Sequence, residues 1–131
     1  MEMKKAILDA NQFSNLTEFY DEVEAKLTKG LDWKIGRNLN AYNDVLRGGF
    51  GFHRYEEKIT VHWKNSEKSK KDFGVKETIR VLKASLKTCH SSHTPFIKKH
   101  IERLKAGKGK TLFDDIIKIT RSHDHVTLKL E

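Results

Sequence analysis

The chain has 131 residues and a mass of 15.2 kDa, the length of one ordinary domain. Its 7 Phe, 3 Tyr and 2 Trp, within a hydrophobic fraction of 37%, suffice for one core, which excludes a disordered chain. No apolar stretch approaches the ~20 residues of a membrane helix, so no membrane partner is expected. The apolar run 6–8 is too short for a secretory signal, and the single Cys89 has no internal disulfide partner. We therefore expect a cytoplasmic protein.

The formal net charge of +8 is unevenly distributed. Residues 1–63 carry 9 Lys and Arg against 10 Asp and Glu, whereas residues 64–110 carry 14 against 4. A basic region of this kind is typical of proteins that bind nucleic acids, anionic lipids or acidic proteins, but also of well-solvated helices.

The first half of the chain predicts one strand and two helices. The strand is 4–9, and the first helix, 15–28, combines an Asn15 N-cap with apolar residues at helical spacing. The second helix is 38–47, and the glycines at 48 and 49 end it. Its apolar face leaves Asn40, Asn43, Asp44 and Arg47 on the polar side.

The second half predicts a strand at 58–63, helical segments at 66–73, 76–88 and 95–105, a last helix at 112–119 and a closing strand at 126–130. Three strands separated by helices indicate a three-stranded, mainly parallel α/β fold.

Candidate catalytic and metal-binding residues do not form a recognisable site in the sequence. The seven histidines include the pairs His90/His93 and His123/His125, but neither has a third ligand at a defined spacing. An acid–base pair such as His53 and Glu56 is conceivable for phosphodiester cleavage, although nothing in the sequence fixes its geometry. We predict no enzyme activity, no metal and no cofactor.

The segment 36–46, GRNLNAYNDVL, resembles the second-helix motif of the barstar family, which reads approximately G-x-N-L-D-A-x-x-D-x-L. Barstars are intracellular protein inhibitors of secreted ribonucleases. The first strand, the 15–28 helix, the 59–63 strand and the 112–130 ending are also similar to that family. The resemblance covers roughly 1–73 and 111–131, which predicts a basic helical insertion at about 74–110 within a single domain 1–131.

The resemblance implies a three-layer fold, in which a three-stranded parallel sheet is flanked by helices on both faces. It also implies that the second helix and the loop before it block a nuclease active site, with a carboxylate in place of the substrate phosphate. The matching carboxylate is Asp44. A carboxylate buried against guanidinium groups makes strong charge-assisted bonds; the alternative is that Asp44 is an ordinary solvated helix residue.

We accordingly expect an inhibitor or immunity protein of a bacterial ribonuclease or nuclease toxin, a monomer that binds its target 1:1. The expected contact residues are Trp33, Lys34, Gly36, Arg37, Asn38, Asn40, Asn43, Asp44, Arg47 and Gly48.

The chain departs from the family pattern in its charge. Asn40 stands where the family usually has an acid, and Asn43 where it has an aromatic residue. Lys34 and Arg37 make the loop before the second helix more positive. Because a protein of net charge +8 repels a strongly basic ribonuclease at long range, we expect a less basic nuclease or a different toxin as target.

A second hypothesis is a nucleic-acid-binding module that uses the Lys-rich region 64–110. It predicts an affinity that falls steeply with salt and does not depend on Asp44. The only aromatic residues in that region are Phe73 and Phe96, whereas single-strand binders usually offer several stacking platforms.

Overall fold

A parallel β-sheet of three strands forms the centre of the fold in a computed structural model of the chain. The structure describes residues 4–28, 36, 38–48 and 53–131. The strands are β1 (Lys4–Asp9), β2 (Ile59–Lys64) and β3 (Val126–Leu130). Their order is β1-β2-β3, and both pairings are parallel, with Lys4 opposite Ile59 and Ile59 opposite Val126. The predicted three-stranded parallel α/β fold is confirmed.

Helices make both crossover connections. Those between β1 and β2 are α1 (Leu16–Leu27) and α2 (Leu39–Arg47). Those between β2 and β3 are α3 (Ser66–Asp72), α4 (Val75–Ser85), α5 (Thr94–Lys105) and α6 (Leu112–Arg121). In the part of the chain that the structure describes, no helix is long and apolar enough to cross a bilayer.

The first two helices begin where their cap residues predict. The Asn15 side chain accepts the backbone N–H of Glu18 at 2.9 Å, and the Asn38 side chain accepts that of Ala41 at 2.8 Å. Each bond satisfies one N–H that the first helical turn leaves unpaired, and a cap of this kind stabilises a helix by about 1 kcal/mol.

The core is aromatic and centres on Trp63 of β2, which is fully buried. Its ring stacks on Phe19 of α1 with centroids 5.7 Å apart and meets the edge of Phe13 at 5.9 Å. The indole N–H donates to the hydroxyl of Ser69 at 3.0 Å. Phe73, one of the two aromatic residues of the basic region, is also fully buried in this cluster, so its ring is unavailable to a ligand.

The basic segment 74–110 packs on the rest of the molecule through α4 and α5. Thr78 of α4 accepts the backbone N–H of Leu112 at 2.8 Å, which joins α4 to the start of α6. Ile101 and Leu104 of α5 are buried. The interpretation of this segment as an insertion within a single domain stays a prediction.

Candidate functional site

The polar face of α2 is a continuous stripe that includes the predicted carboxylate. Asn40, Asp44 and Arg47 are exposed and Asn43 is half-buried. These positions have the i, i+3, i+4, i+7 spacing that places side chains on one side of a helix. On the opposite side Tyr42, Val45 and Leu46 are buried in the core. We call the stripe Asn40, Asn43, Asp44 and Arg47 the α2 polar face.

Asp44 lies at the middle of this face, and its side chain is 63% exposed. One oxygen of its carboxylate is 3.6 Å from a guanidinium nitrogen of Arg47, one turn further along. Both groups are largely solvated, so this ion pair contributes little to stability. The carboxylate is therefore open to a cation from a partner, with Arg47 as a competitor.

Asn43 differs from its neighbours because it has a partner far away in the sequence. Its side-chain oxygen accepts a hydrogen bond from the Nε2–H of His123 at 2.7 Å. His123 lies in the loop between α6 and β3. Burial, helped by the nearby His125 and Arg47, lowers the pKa of His123, which favours the neutral ring at physiological pH.

Two further histidines cap the last turn of α2. The carbonyl of Leu46 accepts the Nε2–H of His53 at 2.9 Å and that of His125 at 2.7 Å. A helix leaves its last carbonyls without intrahelical donors, and two rings supply them here. Burial, followed by the charge of His125, lowers the pKa of His53. We call His53, His123 and His125 the histidine cluster.

Contacts deep in the core also fix the position of α2. The buried phenol of Tyr42 donates to the hydroxyl of Thr120 in α6 at 2.6 Å, and that hydroxyl donates to the carbonyl of Ile116. Burial raises the pKa of Tyr42, so the phenol stays a neutral donor. The helix is thus held by its N-cap, by this buried bond and by the histidine cluster.

The predicted glycine positions shape the ends of α2. Gly48 has φ +86°, and a Cβ there would lie 2.3 Å from the carbonyl oxygen of Arg54, so only glycine fits. Gly36 is exposed, and its α-carbon faces the Asn38 side chain closely enough that a Cβ would be 3.1 Å from it. Asn38 itself is exposed and serves as the N-cap.

The remaining predicted contact residues, Trp33, Lys34 and Arg37, lie outside the described residues. Beside the C-terminal end of α2, a cleft of about 270 Å³ is lined by Arg47, Glu56 and residues 122–125. The cleft joins the α2 polar face to the loop before β3. This loop was not predicted from the sequence, because its signal there was the pair His123 and His125, whose spacing pointed only to metal binding.

The conceivable acid–base pair does not form a usable site. His53 is 3% exposed, and its Nε2–H already donates to Leu46, whereas Glu56 is exposed. Over the described ranges, no three His, Cys, Asp or Glu side chains are grouped so that they could hold a metal ion. What the arrangement offers chemically is an exposed carboxylate on a firmly held helix, with the amides of Asn40 and Asn43 and the guanidinium of Arg47 beside it.

A comparison with protein families identifies a relationship that covers most of the chain. The model of the family described as Barstar (barnase inhibitor) matches residues 3–106. The matched region runs from β1 through α5 and includes the whole α2 polar face. No curated protein matches the chain.

Proposed function

Because the chain belongs to the barstar family, we propose that it inhibits a ribonuclease or nuclease toxin by placing α2 in the active site of the enzyme. Proteins of this family are inhibitors rather than enzymes. In this proposal Asp44 occupies the position of a substrate phosphate, and the rest of the α2 polar face surrounds it.

The observation that carries the proposal is the exposure of Asp44 on a helix that is itself held firmly in the fold. The carboxylate projects from the middle of a helix, while the opposite side of that helix is buried. Bonds from Asn38, Tyr42 and the histidine cluster fix both ends and the middle of α2. Because the backbone of α2 is already ordered, only side chains such as that of Asp44 lose conformational entropy on binding, which favours affinity.

The chemistry of the target explains why a carboxylate is suitable. An enzyme that cleaves a phosphodiester must present cationic donors to an anionic phosphate. A carboxylate can accept the same charge-assisted bonds from those donors, including a bidentate pair from an arginine. Unlike a phosphodiester, it offers no bond for the enzyme to cleave, so binding becomes inhibition.

The neighbours of Asp44 supply the remaining polar contacts. The exposed amide of Asn40 can donate to and accept from a partner. We propose that Trp33, Lys34 and Arg37 also contact the enzyme, and that Gly36, Asn38 and Gly48, before and at the ends of α2, help to position the helix there. The inhibitor acts as a monomer in a 1:1 complex in the cytoplasm of the cell that makes the toxin.

The charge of the chain constrains the target. The basic residues are concentrated in 64–110, whereas 1–63 are nearly balanced. Long-range attraction to a strongly basic ribonuclease is therefore absent, and on the α2 polar face only the carboxylate of Asp44 favours a cationic partner. We propose that the target has a cationic active site on a surface that is not basic overall.

The test is an inhibition titration against a small panel of bacterial ribonucleases of different net charge, including a barnase-type enzyme. Inhibition that reaches completion at one inhibitor per enzyme, and that competes with a bound nucleotide, supports the proposal. If no enzyme in the panel is inhibited, ribonucleases of the types in the panel are not the target. If inhibition leaves nucleotide binding intact, active-site blockage is wrong.

A further inference from the structure

A second surface, far from α2 in the sequence, is a cationic cleft between α5 and the segment that leads into α6. Its volume is about 460 Å³. One wall consists of Phe96, Lys99, His100 and Arg103 of α5, and the other includes Lys108 and Lys110. No residue of the α2 polar face or of the histidine cluster lines it.

The helical wall is a stripe generated by sequence spacing. Phe96, Lys99, His100 and Arg103 follow each other at i, i+3, i+4 and i+7, so they share one side of α5. Ile101 and Leu104, which are 6% and 2% exposed, bury the other side of that helix. The packing of α5 therefore directs the stripe of Phe96, Lys99, His100 and Arg103 away from the core.

The loop that forms the second wall is fixed against α5. The Nε2–H of His100 donates to the backbone carbonyl of Lys110 at 2.9 Å. A Cβ at Gly109 would lie 2.8 Å from the side chain of Leu104, so the loop backbone approaches the helix as closely as glycine permits. The loop then enters α6 through the Thr111 capping box. The lysines at 108 and 110 are thus placed by the fold.

The lining of the cleft has two kinds of group. The charged side chains of the lining are the carboxylate of Asp115 and four cations, so the net charge of the lining is positive. The cations are Lys99, Arg103, Lys108 and Lys110. At its edge the ring of Phe96 is 74% exposed, the highest value among the exposed large hydrophobic residues of the described chain. A bare aromatic ring beside point charges matches a ligand that has flat faces and repeated negative charges.

We propose that this cleft binds single-stranded nucleic acid, with Phe96 stacking on one base and Lys99, Arg103 and Lys108 contacting the adjacent phosphates. Base–aromatic stacking and an electrostatic groove are the two elements of sequence-tolerant single-strand binding. A duplex keeps its bases stacked on each other and offers Phe96 no free face. An acidic peptide supplies negative charge but no flat face for the ring.

The first test measures the affinity of the full-length protein for short fluorescein-labelled oligonucleotides by anisotropy. The same sequence is offered as single-stranded RNA, as single-stranded DNA and as a duplex. We expect both single strands to bind more tightly than the duplex. The difference between the affinities for single-stranded RNA and single-stranded DNA shows which of the two nucleic acids the cleft prefers. Equal or tighter duplex binding would overturn the proposal.

Substitutions at Phe96 test the stacking contact. Phe96→Leu keeps apolar bulk but removes the aromatic face, so we expect affinity for single strands to fall by about tenfold. Phe96→Tyr keeps the face and should bind like the parent protein. Because the ring is so exposed, both variants should fold normally, which circular dichroism checks. Unchanged affinity in Phe96→Leu would overturn the stacking assignment.

Substitutions of the cations test the phosphate contacts. In Lys99→Gln/Arg103→Gln we expect the slope of log affinity against log salt to decrease by about 1.4, since each single-strand phosphate contact contributes about 0.7. The matched control is Lys83→Gln/Lys87→Gln, which removes the same charge from exposed positions outside the cleft. If Lys83→Gln/Lys87→Gln decreases the salt slope as much as Lys99→Gln/Arg103→Gln does, the proposal is overturned. It is also overturned if the protein binds polyglutamate as tightly as single-stranded nucleic acid, because the cleft would then bind polyanions in general.

Discussion

The Nε2–H of His123 donates to the side-chain oxygen of Asn43 at 2.7 Å, which joins the α2 polar face to the loop before β3. The two residues are 80 positions apart in the chain. Asn43 therefore supports the position of α2 at the same time as it borders the surface proposed for the target. Substitution of Asn43 is expected to change both stability and binding. Substitution of the exposed Asn40 is expected to change binding alone.

Replacing Asn43 with alanine should lower the free energy of unfolding by about 1 kcal/mol, the usual net value of one hydrogen bond. Urea unfolding measures this change. The matched control is Asn40→Ala in the same helix, which should stay within about 0.5 kcal/mol of the parent protein, as exposed positions usually do. If both variants have equal stability, the bond to His123 contributes nothing.

Stability should decrease as the pH falls below the ordinary histidine pKa of 6.5, because the pKa values of His53 and His123 are lowered in the folded state. The unfolded chain then binds protons that the folded chain does not, and each such histidine contributes at most about 1.4 kcal/mol per pH unit. The stability that these two histidines contribute is fully present above pH 6.5. It is lost as the pH falls from 6.5 to their lowered pKa values in the folded state. Urea midpoints between pH 7.5 and 6 measure the effect, in a range where ordinary carboxylates stay ionised.

A substitution in the histidine cluster tests this source of pH dependence. His123→Gln should reduce the pH dependence of the urea midpoint relative to the parent protein, because burial lowers the pKa of His123 in the folded state. If His123→Gln retains the full pH dependence of the urea midpoint, the burial of His123 does not contribute to that dependence.

Gly48→Ala should destabilise the protein strongly. A side chain would be strained at φ +86°, and its Cβ would lie 2.3 Å from the carbonyl oxygen of Arg54. Strain of this kind costs about 1–3 kcal/mol, and the clash adds to it. Gly107→Ala is the matched control, since φ there is +77° but nothing lies within 4 Å of the added Cβ. Equal losses in thermal unfolding would mean that the contact with Arg54 is easily relieved.

Arg47→Gln should increase the association rate with a nuclease that has a cationic active site. Arg47 adds a positive charge to the α2 polar face and lies 3.6 Å from Asp44, where it competes with the cations of the partner. Charges at the rim of an interface act mainly on the association rate. Stopped-flow binding at low salt measures it. A slower association would show that Arg47 contacts the target favourably.

Local patterns predicted the elements because those signals lie in short segments. Asn15 and Asn38 cap α1 and α2 within a residue of the expected starts, and apolar periodicity located β2 and α6. The exposed position of Asp44 also follows from helical spacing alone. The predicted helix 76–88 is an exception, since α4 ends at Ser85 and the remaining residues form turns.

Tertiary contacts explain what the sequence did not predict. The carbonyl of Leu46 accepts hydrogen bonds from His53 and His125, and the sequence around Leu46 does not indicate this. His125 is 79 residues away, so only the tertiary fold brings it to this carbonyl. The half-buried state of Asn43 has the same cause. The cationic cleft was also hidden, since Phe96 looks isolated from the lysines of 106–110 in the sequence and meets them only after α5 and the loop pack together.

The role of Asp44 as a phosphate substitute can be decided by inhibition constants for three proteins against a ribonuclease that the parent protein inhibits. The proteins are the parent, Asp44→Asn and Glu102→Gln, the last of which removes an exposed carboxylate from α5. We expect Asp44→Asn to weaken inhibition by at least about 30-fold, since losing one partner of a buried charge pair costs about 2–5 kcal/mol. Glu102→Gln should inhibit like the parent. Equal inhibition by the parent and Asp44→Asn would contradict the proposed role of Asp44.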